Sequence, residues 1–202
     1  MKALLFMLNN TTVVFKKLRT PILALFLLTV ACNTPKSNAN NETTNHKNWK
    51  TVFEDKLPLL GHRNWILVVD KAFPVQNAAG IEYINSNENL LPTLEYVLNK
   101  VNNSSHVKPI IYQDKELGFI TEEQSKGITK FIENSKVILS NQPVNTILHD
   151  SVFKKLDVES KLFKILVIKT NEIIPYTSVF MQLDCAYWNE EKERNLRTKI
   201  KN

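Results

Sequence analysis

The run Trp65-Ile66-Leu67-Val68-Val69 constrains the fold of this chain more than any other feature. Five consecutive apolar residues, β-branched at three positions, offer no polar face to water and read as a strand buried on both sides. Such a strand needs other elements layered on each face, and the flanking sequence supplies helices. Trp49, Val52, Phe53, Leu57 and Leu60 recur at three- and four-residue steps, with Pro58 expected to disrupt the last turn. Leu90, Leu91, Leu94, Val97, Leu98 and Val101 trace the apolar face of a longer helix. Thr121 and Gln124 have the spacing of a capping box, which predicts a helix through about Lys136 with Ile128, Phe131 and Ile132 inward. Residues 151–160 read as a further helix. Short strands are expected over 81–84, 107–112, 137–139, 144–148, 163–168 and 178–183. Helices alternating with buried strands predict an α/β layer fold with helices on both sheet faces.

A buried core must supply the stability, because two cysteines cannot staple 202 residues. The 43% hydrophobic share is enough for that and excludes wholesale disorder. A mean hydropathy of -0.21 excludes a polytopic membrane protein. The formal net charge of +6 could suggest polyanion binding, but its distribution argues against nucleic acid. Of 26 basic residues, four lie in the first 31 positions with no acid, leaving 22 against 20 acids in the body. There both signs interleave, as at Lys154, Lys155, Asp157 and Glu159, instead of gathering on one stripe.

The N-terminal segment reads as an address. Lys16, Lys17 and Arg19 precede an uncharged, mostly apolar run over 21–31, the length of a signal-peptide core and short for a bilayer span. The chain is expected to start at Met1 or Met7, and the run ends Leu28-Thr29-Val30-Ala31-Cys32, which resembles a bacterial lipobox with Cys32 as the lipidated residue. An uncleaved signal anchor is the alternative, and either reading places the body in the cell envelope, tethered to a membrane. Residues 33–48 hold six Asn and no hydrophobic larger than Ala, as expected of a flexible spacer. The folded domain is then expected over 49–188, followed by a charged tail over 189–202. With Cys32 lipidated, Cys185 is left either as a reactive thiol or as a small buried hydrophobe.

No Gly-rich phosphate loop, CxxC, HExxH or GxSxG motif occurs, so nucleotide, zinc and serine-hydrolase readings lack their motifs. Four histidines and a few acids remain. His46 falls in the spacer, and His106 sits in a polar loop beside Asn102, Asn103, Ser104 and Ser105, where a solvated role is expected. His62 opens the buried strand after Gly61, and Asp70 closes it. Ligands of open α/β sheets bind outside the carboxyl ends of strands, where Asp70, Tyr112 and His149 are expected. On spacing alone, a lone His and a lone Asp such as His62 and Asp70 are more often structural.

The segment Gly61-His62-Arg63-Asn64, the apolar strand, Asp70 eight residues after His62, and Phe73-Pro74 together resemble the opening motif of the ribose pyranase and fucose mutarotase family (RbsD/FucU). Glu172 through Phe180 is similar to that family's Gly-Glu, Tyr-x-Asn and apolar strand, with Asn171 in place of the Gly and Ser178 in place of the Asn. His149 ahead of Phe153 is a weaker third match, and the three span about residues 57–185.

The resemblance implies a three-layer α/β/α fold with a mixed, mostly parallel sheet. It implies cofactor- and metal-free interconversion of the anomers, or of the pyranose and furanose forms, of a free monosaccharide. His62 would be the catalytic proton donor, Asp70 and His149 would bind sugar hydroxyls, and Tyr176 and Ser178 would complete the pocket. An imidazole can give or take a proton near neutral pH, which ring opening requires. The family also implies homo-oligomers, ring-shaped and commonly decameric, with sites near subunit contacts. A non-catalytic monosaccharide-binding lipoprotein and an assembly lipoprotein on an inherited fold remain open beside the enzymatic reading.

Overall fold

All five residues of the first strand, β1 (Trp65–Val69), are buried. The reason is its place in the sheet: parallel β5 (Ile165–Lys169) lies on one side and antiparallel β6 (Val179–Cys185) on the other. A central strand with covered faces tolerates no polar residue, so the sequence run and the position explain each other. The computed structural model describes residues 48–200. The expected signal segment over 1–31, Cys32 and the spacer through residue 47 lie outside the described residues.

The sheet has six strands in the order β2-β5-β1-β6-β3-β4, with β2 at Ile81–Asn85, β3 at Val107–Asp114 and β4 at Val144–Ile147. β2 pairs parallel with β5 and β4 parallel with β3, while β6 runs antiparallel to both β1 and β3. The sheet is therefore mixed and mostly parallel, as expected. Alternate β1 side chains feed two cores. Ile66 and Val68 pack with Phe53 of α1 (Trp49–Lys56), Leu94 and Val97 of α2 (Leu90–Asn102) and Phe131 of α3 (Ile128–Ile138). Trp65, Leu67 and Val69 pack with Phe73 and with Val152 and Leu156 of α4 (His149–Glu159). Helices thus cover both faces, giving the three layers.

Pro58 ends α1 as predicted, inside a 3-10 turn over Leu57–Leu59. Other expectations shift. The Thr121–Gln124 box forms, with the Thr121 N–H donating to Gln124 Oε1 at 2.9 Å, but it closes a turn and α3 starts only at Ile128. Glu122 instead caps α3, accepting from the Thr129 N–H at 3.1 Å. Hydrogen bonds from the Gly127 and Thr129 N–H groups and the Thr129 hydroxyl hold its carboxyl below the usual range. The strand expected over 137–139 is absent: Val137, which is exposed, and Ile138 complete α3, and buried Leu139 caps it. His106, expected in solvent, is bonded at both ring nitrogens, to Ser104 Oγ at 2.7 Å and to the Leu60 carbonyl at 3.0 Å, because the turn into β3 folds back onto Leu60. Cys185 closes β6 as a half-buried free thiol.

The expected tail is helical as α5 (Glu190–Ile200), with none of its residues buried. Acids crowd its first turn and bases its last, matching the helix dipole, and Arg197 Nε pairs with Glu193 Oε1 at 2.7 Å. No helix among the described residues is long and apolar enough to cross a membrane.

Candidate functional site

Because β6 alone runs against its neighbours, the carboxyl ends of β1 to β5 meet the amino end of β6 along one edge of the sheet. A cavity of about 480 Å³ opens there, lined in part by Asp70, Phe73, His149, Phe153, Ile174 and Tyr176. That volume lies within the range of roughly 300–1,000 Å³ usual for small-molecule sites.

Asp70 follows β1 and faces Ser178, which precedes β6 in the adjacent strand. The Ser178 hydroxyl donates to Asp70 Oδ2 at 2.8 Å and accepts from the Asp70 N–H at 3.2 Å. Asp70 Oδ1 accepts from the Ala72 N–H at 2.9 Å. The carboxylate is thus held from two directions, while its remaining lone pairs stay free to accept from ligand hydroxyls. Ser178 itself is buried and touches the cavity only through Asp70.

The loop over 171–177 contributes Ile173, Ile174, Pro175 and Tyr176 to the lining. Glu172 Oε1 accepts from the Ile173 and Ile174 N–H groups, both at 3.0 Å, and the Thr177 hydroxyl donates to the Ile174 carbonyl at 2.7 Å. The Lys71 N–H donates to the Glu172 carbonyl at 2.7 Å, joining this loop to the one after β1. So fixed, Tyr176 sits at φ 59, a left-handed conformation that a bulky residue adopts only when its surroundings impose it. Its ring meets the His149 ring edge to face at 5.1 Å. The His149 ring also meets Phe153 at 4.9 Å, and Phe153 stacks on Phe73 at 5.4 Å. The lining thus sets aromatic rings beside the Asp70 carboxylate, as suits a ligand with both an apolar ring face and hydroxyls.

His149 is the first residue of α4, placed there by the short β4–α4 connection. Its N–H donates to both Glu116 carboxylate oxygens at 3.1 Å. Its Nδ1 lies 3.0 Å from Oδ2 of Asp114, the last residue of β3, whose side chain is 0% exposed. Burial pushes the Asp114 carboxyl up to about 6; His149 pulls the other way, while the Glu116 and Asp70 carboxylates add to the rise. Asp114 and Glu116 are the site residues that the sequence reading missed. For Asp114 a signal was present: it lies two residues past Tyr112 at the carboxyl end of a strand, as Asp70 lies just past β1.

The chain brings Asp70, His149, Tyr176 and Ser178 together and leaves His62 apart. His62 precedes β1 at the other edge of the sheet, so the strand length separates it from Asp70 by on the order of 17 Å. There its half-exposed ring pairs through Nδ1 with Asp184 Oδ1 at 3.1 Å, and Lys108 Nζ takes Oδ2 at 3.2 Å. Burial works upward on Asp184, but the Cys185 N–H, Lys108 and His62 hold its carboxyl below the usual range. No group of three or more His, Cys, Asp or Glu side chains among the described residues is arranged to hold a metal ion.

The fold and this edge site define an α/β protein with a cavity of small-molecule size at its strand ends. No protein-family model and no curated protein matches the chain. Among solved structures it is similar to Bacillus subtilis RbsD complexed with D-ribose, at 19% identity and TM-score 0.47, covering 65% of this chain and 90% of that one. It is also similar to the fucose mutarotase in complex with L-fucose from Streptococcus pneumoniae, at 13% identity and TM-score 0.47, covering 67% and 93%. FucU from Bifidobacterium longum matches at 13% identity and TM-score 0.43, covering 65% and 92%. At these identities the likeness is one of fold alone.

Proposed function

We propose that this protein binds a free monosaccharide in the cavity beside Asp70 and interconverts its anomers, or its pyranose and furanose forms, by acid–base ring opening without a cofactor. The observation that carries the reading is the Asp70 carboxylate, pinned by Ser178 and the Ala72 N–H, facing a cavity it shares with His149 and Tyr176. A fixed carboxylate accepting from adjacent hydroxyls anchors a polyol, and the Phe73–Phe153 wall takes the apolar face of the sugar ring. The His62-to-Pro74 motif in the sequence agrees with this reading.

The proton donor that the resemblance assigns, His62, belongs to this site only if a neighbouring copy brings its β1 amino edge to the cavity mouth. Homo-oligomerisation, as in a ring, is therefore part of the proposal. It is supported by exposed apolar side chains at both edges: Leu59 and Leu162 near His62, Phe119, Leu148 and Ile173 near the cavity. The N-terminal sequence supports export with a lipid on Cys32 into the cell envelope, and a Cys32→Ser chain that still partitions with membranes would overturn the anchor.

The separation of His62 favours a second reading, a monosaccharide-binding protein without turnover. Saturation-transfer NMR on ribose, fucose and galactose separates the two. The enzymatic reading expects faster anomer exchange with the wild type, lost in Asp70→Ala; saturable binding without faster exchange favours the second. A chain that neither binds nor exchanges any of these sugars overturns both.

A further inference from the structure

Ring opening needs two proton movements, one onto the ring oxygen and one off the anomeric hydroxyl. The site contains an arrangement suited to the second. We propose that Asp114 is a positioning residue that holds the His149 imidazole with Nε2 open toward the cavity, so that His149 takes the proton from the anomeric hydroxyl of a bound sugar. This rests on the ring-opening reading above and adds to it a base and the residue that sets that base.

Three observations converge on the pair. First, Nδ1 of His149 lies 3.0 Å from Asp114 Oδ2, and an ionised carboxylate can only accept, so Nδ1 carries the proton and Nε2 the lone pair. Second, the Asp114 side chain is 0% exposed, and its Oδ1 has no hydrogen-bond partner among the described residues. A buried carboxylate with one oxygen unpartnered is costly to keep and is uncommon outside functional sites. Third, further contacts hold the residue: its backbone N–H is bound by Glu116, and its ring packs edge to face on Phe153 and Tyr176. Nε2, across the ring from Asp114, makes no hydrogen bond among the described residues, and His149 lines the cavity. Nucleophile-activating dyads use this same logic, a carboxylate fixing the tautomer of a base.

The step balances without any further reactant. His149 Nε2 accepts the proton of the anomeric hydroxyl, the electrons of that O–H bond form the C1 carbonyl, and the bond between C1 and the ring oxygen breaks. The ring oxygen takes a proton from the donor, His62 of a neighbouring copy on the reading above. Closure onto either face of the carbonyl returns both protons.

The arrangement is sensitive to pH. Asp114 faces His149 from α4, Glu116 from the turn after β3 and Asp70 from the end of β1, and its carboxyl titrates near 6. Below that point a protonated Asp114 donates to Nδ1, which disfavours the tautomer with a bare Nε2.

Long-range 1H–15N spectra of the full chain labelled in histidine, with His149→Gln assigning the signal, read the tautomer directly. At pH 7 the wild type is expected to carry its His149 proton on Nδ1, and this pattern should fade as pH falls through about 6. Asp114→Asn should move the proton toward Nε2 and slow sugar exchange at saturation at least tenfold, while changing the half-saturating sugar concentration less than about twofold. A wild-type His149 protonated on Nε2 at pH 7 overturns the proposal without any variant being needed. So does exchange by Asp114→Asn at the wild-type rate, which would leave the enzymatic reading standing. A wild type that accelerates exchange of no sugar overturns that reading and the base assigned to it together.

Discussion

At the scale of single residues, the site depends on how two carboxylates are kept. Ser178 is buried and both donates to and accepts from Asp70, so Ser178→Ala leaves a carboxylate oxygen and a backbone N–H without partners at once. Unmet groups of this kind cost about 1–3 kcal/mol, which denaturant titration should detect. Sugar affinity should fall with it, because Asp70 loses its orientation; unchanged stability and affinity would show that Asp70 does not need this hydroxyl. Asp114 has the opposite character, since burial raises its carboxyl to about 6 in the folded chain from an ordinary value of 3.8. A raised carboxyl binds its proton more tightly folded than unfolded, so its contribution to stability is complete below pH 3.8 and declines as pH climbs to about 6. Asp114→Asn abolishes that decline. Unfolding measured at several pH values should show the variant gaining on the wild type across this window and holding a constant difference above it, whereas parallel curves would contradict a raised Asp114.

Elements hold these residues where they act. The N-cap of α4, Leu148, has no side chain able to cap, and the Glu116 carboxylate from the turn after β3 takes that place at the His149 N–H. A charge at a helix N-terminus and a lost cap together account for about 1 kcal/mol. Glu116→Ala should therefore destabilise the fold by about that much and loosen His149, visible as broadening of its ring signals; sharp, unshifted signals would refute the link. The far side of the sheet has its own tight point, where a side chain on Gly80 would run into the carbonyls of Ser160 and Phe163. Backbone cannot yield as a side chain does, so Gly80→Ala should cost about 1–3 kcal/mol by strain where β2 joins β5, with a thermal melt as the check. The elements legible in the sequence were those with a long pattern: the all-apolar β1 and the four-turn period of α2. The three apolar residues over 137–139 were too few to show a period, and Val137 and Ile138 instead continue α3, with Leu139 as its cap. The capping box was real as chemistry and wrong as a boundary, because the same pair of hydrogen bonds can close an isolated turn. Asp114 was missed since the strand before it was read two residues short, and its partner, His149 at the start of α4, lies 35 residues on, which no local pattern of β3 records.

For the whole molecule, the decisive question is whether one chain completes the site. The sequence placed His62 and Asp70 in one motif, and an eight-residue spacing says nothing about distance until the intervening residues are known to be extended. Here they are: β1 sets the two side chains at opposite edges of the sheet, so the motif can act as a unit only across a contact between copies. A head-to-tail contact that set one copy's His62 edge against the next copy's cavity would cover apolar residues exposed at both edges, and such a contact repeats into a ring when its rotation closes. Such a shared site makes an arithmetic prediction. His62→Ala chains keep the cavity and lose the donor, while Asp70→Ala chains keep the donor and lose the sugar anchor. Each variant alone should be inactive in sugar exchange. Unfolded and refolded together in equal amounts, they should recover roughly a quarter of wild-type exchange, since random neighbours place an intact donor against an intact cavity at one contact in four. If His62→Ala is fully active by itself, the donor lies within the cavity of one chain and the contact is unnecessary. If the mixture stays inactive although the subunits have exchanged, His62 and Asp70 act in one chain or not at all, and the shared site is excluded.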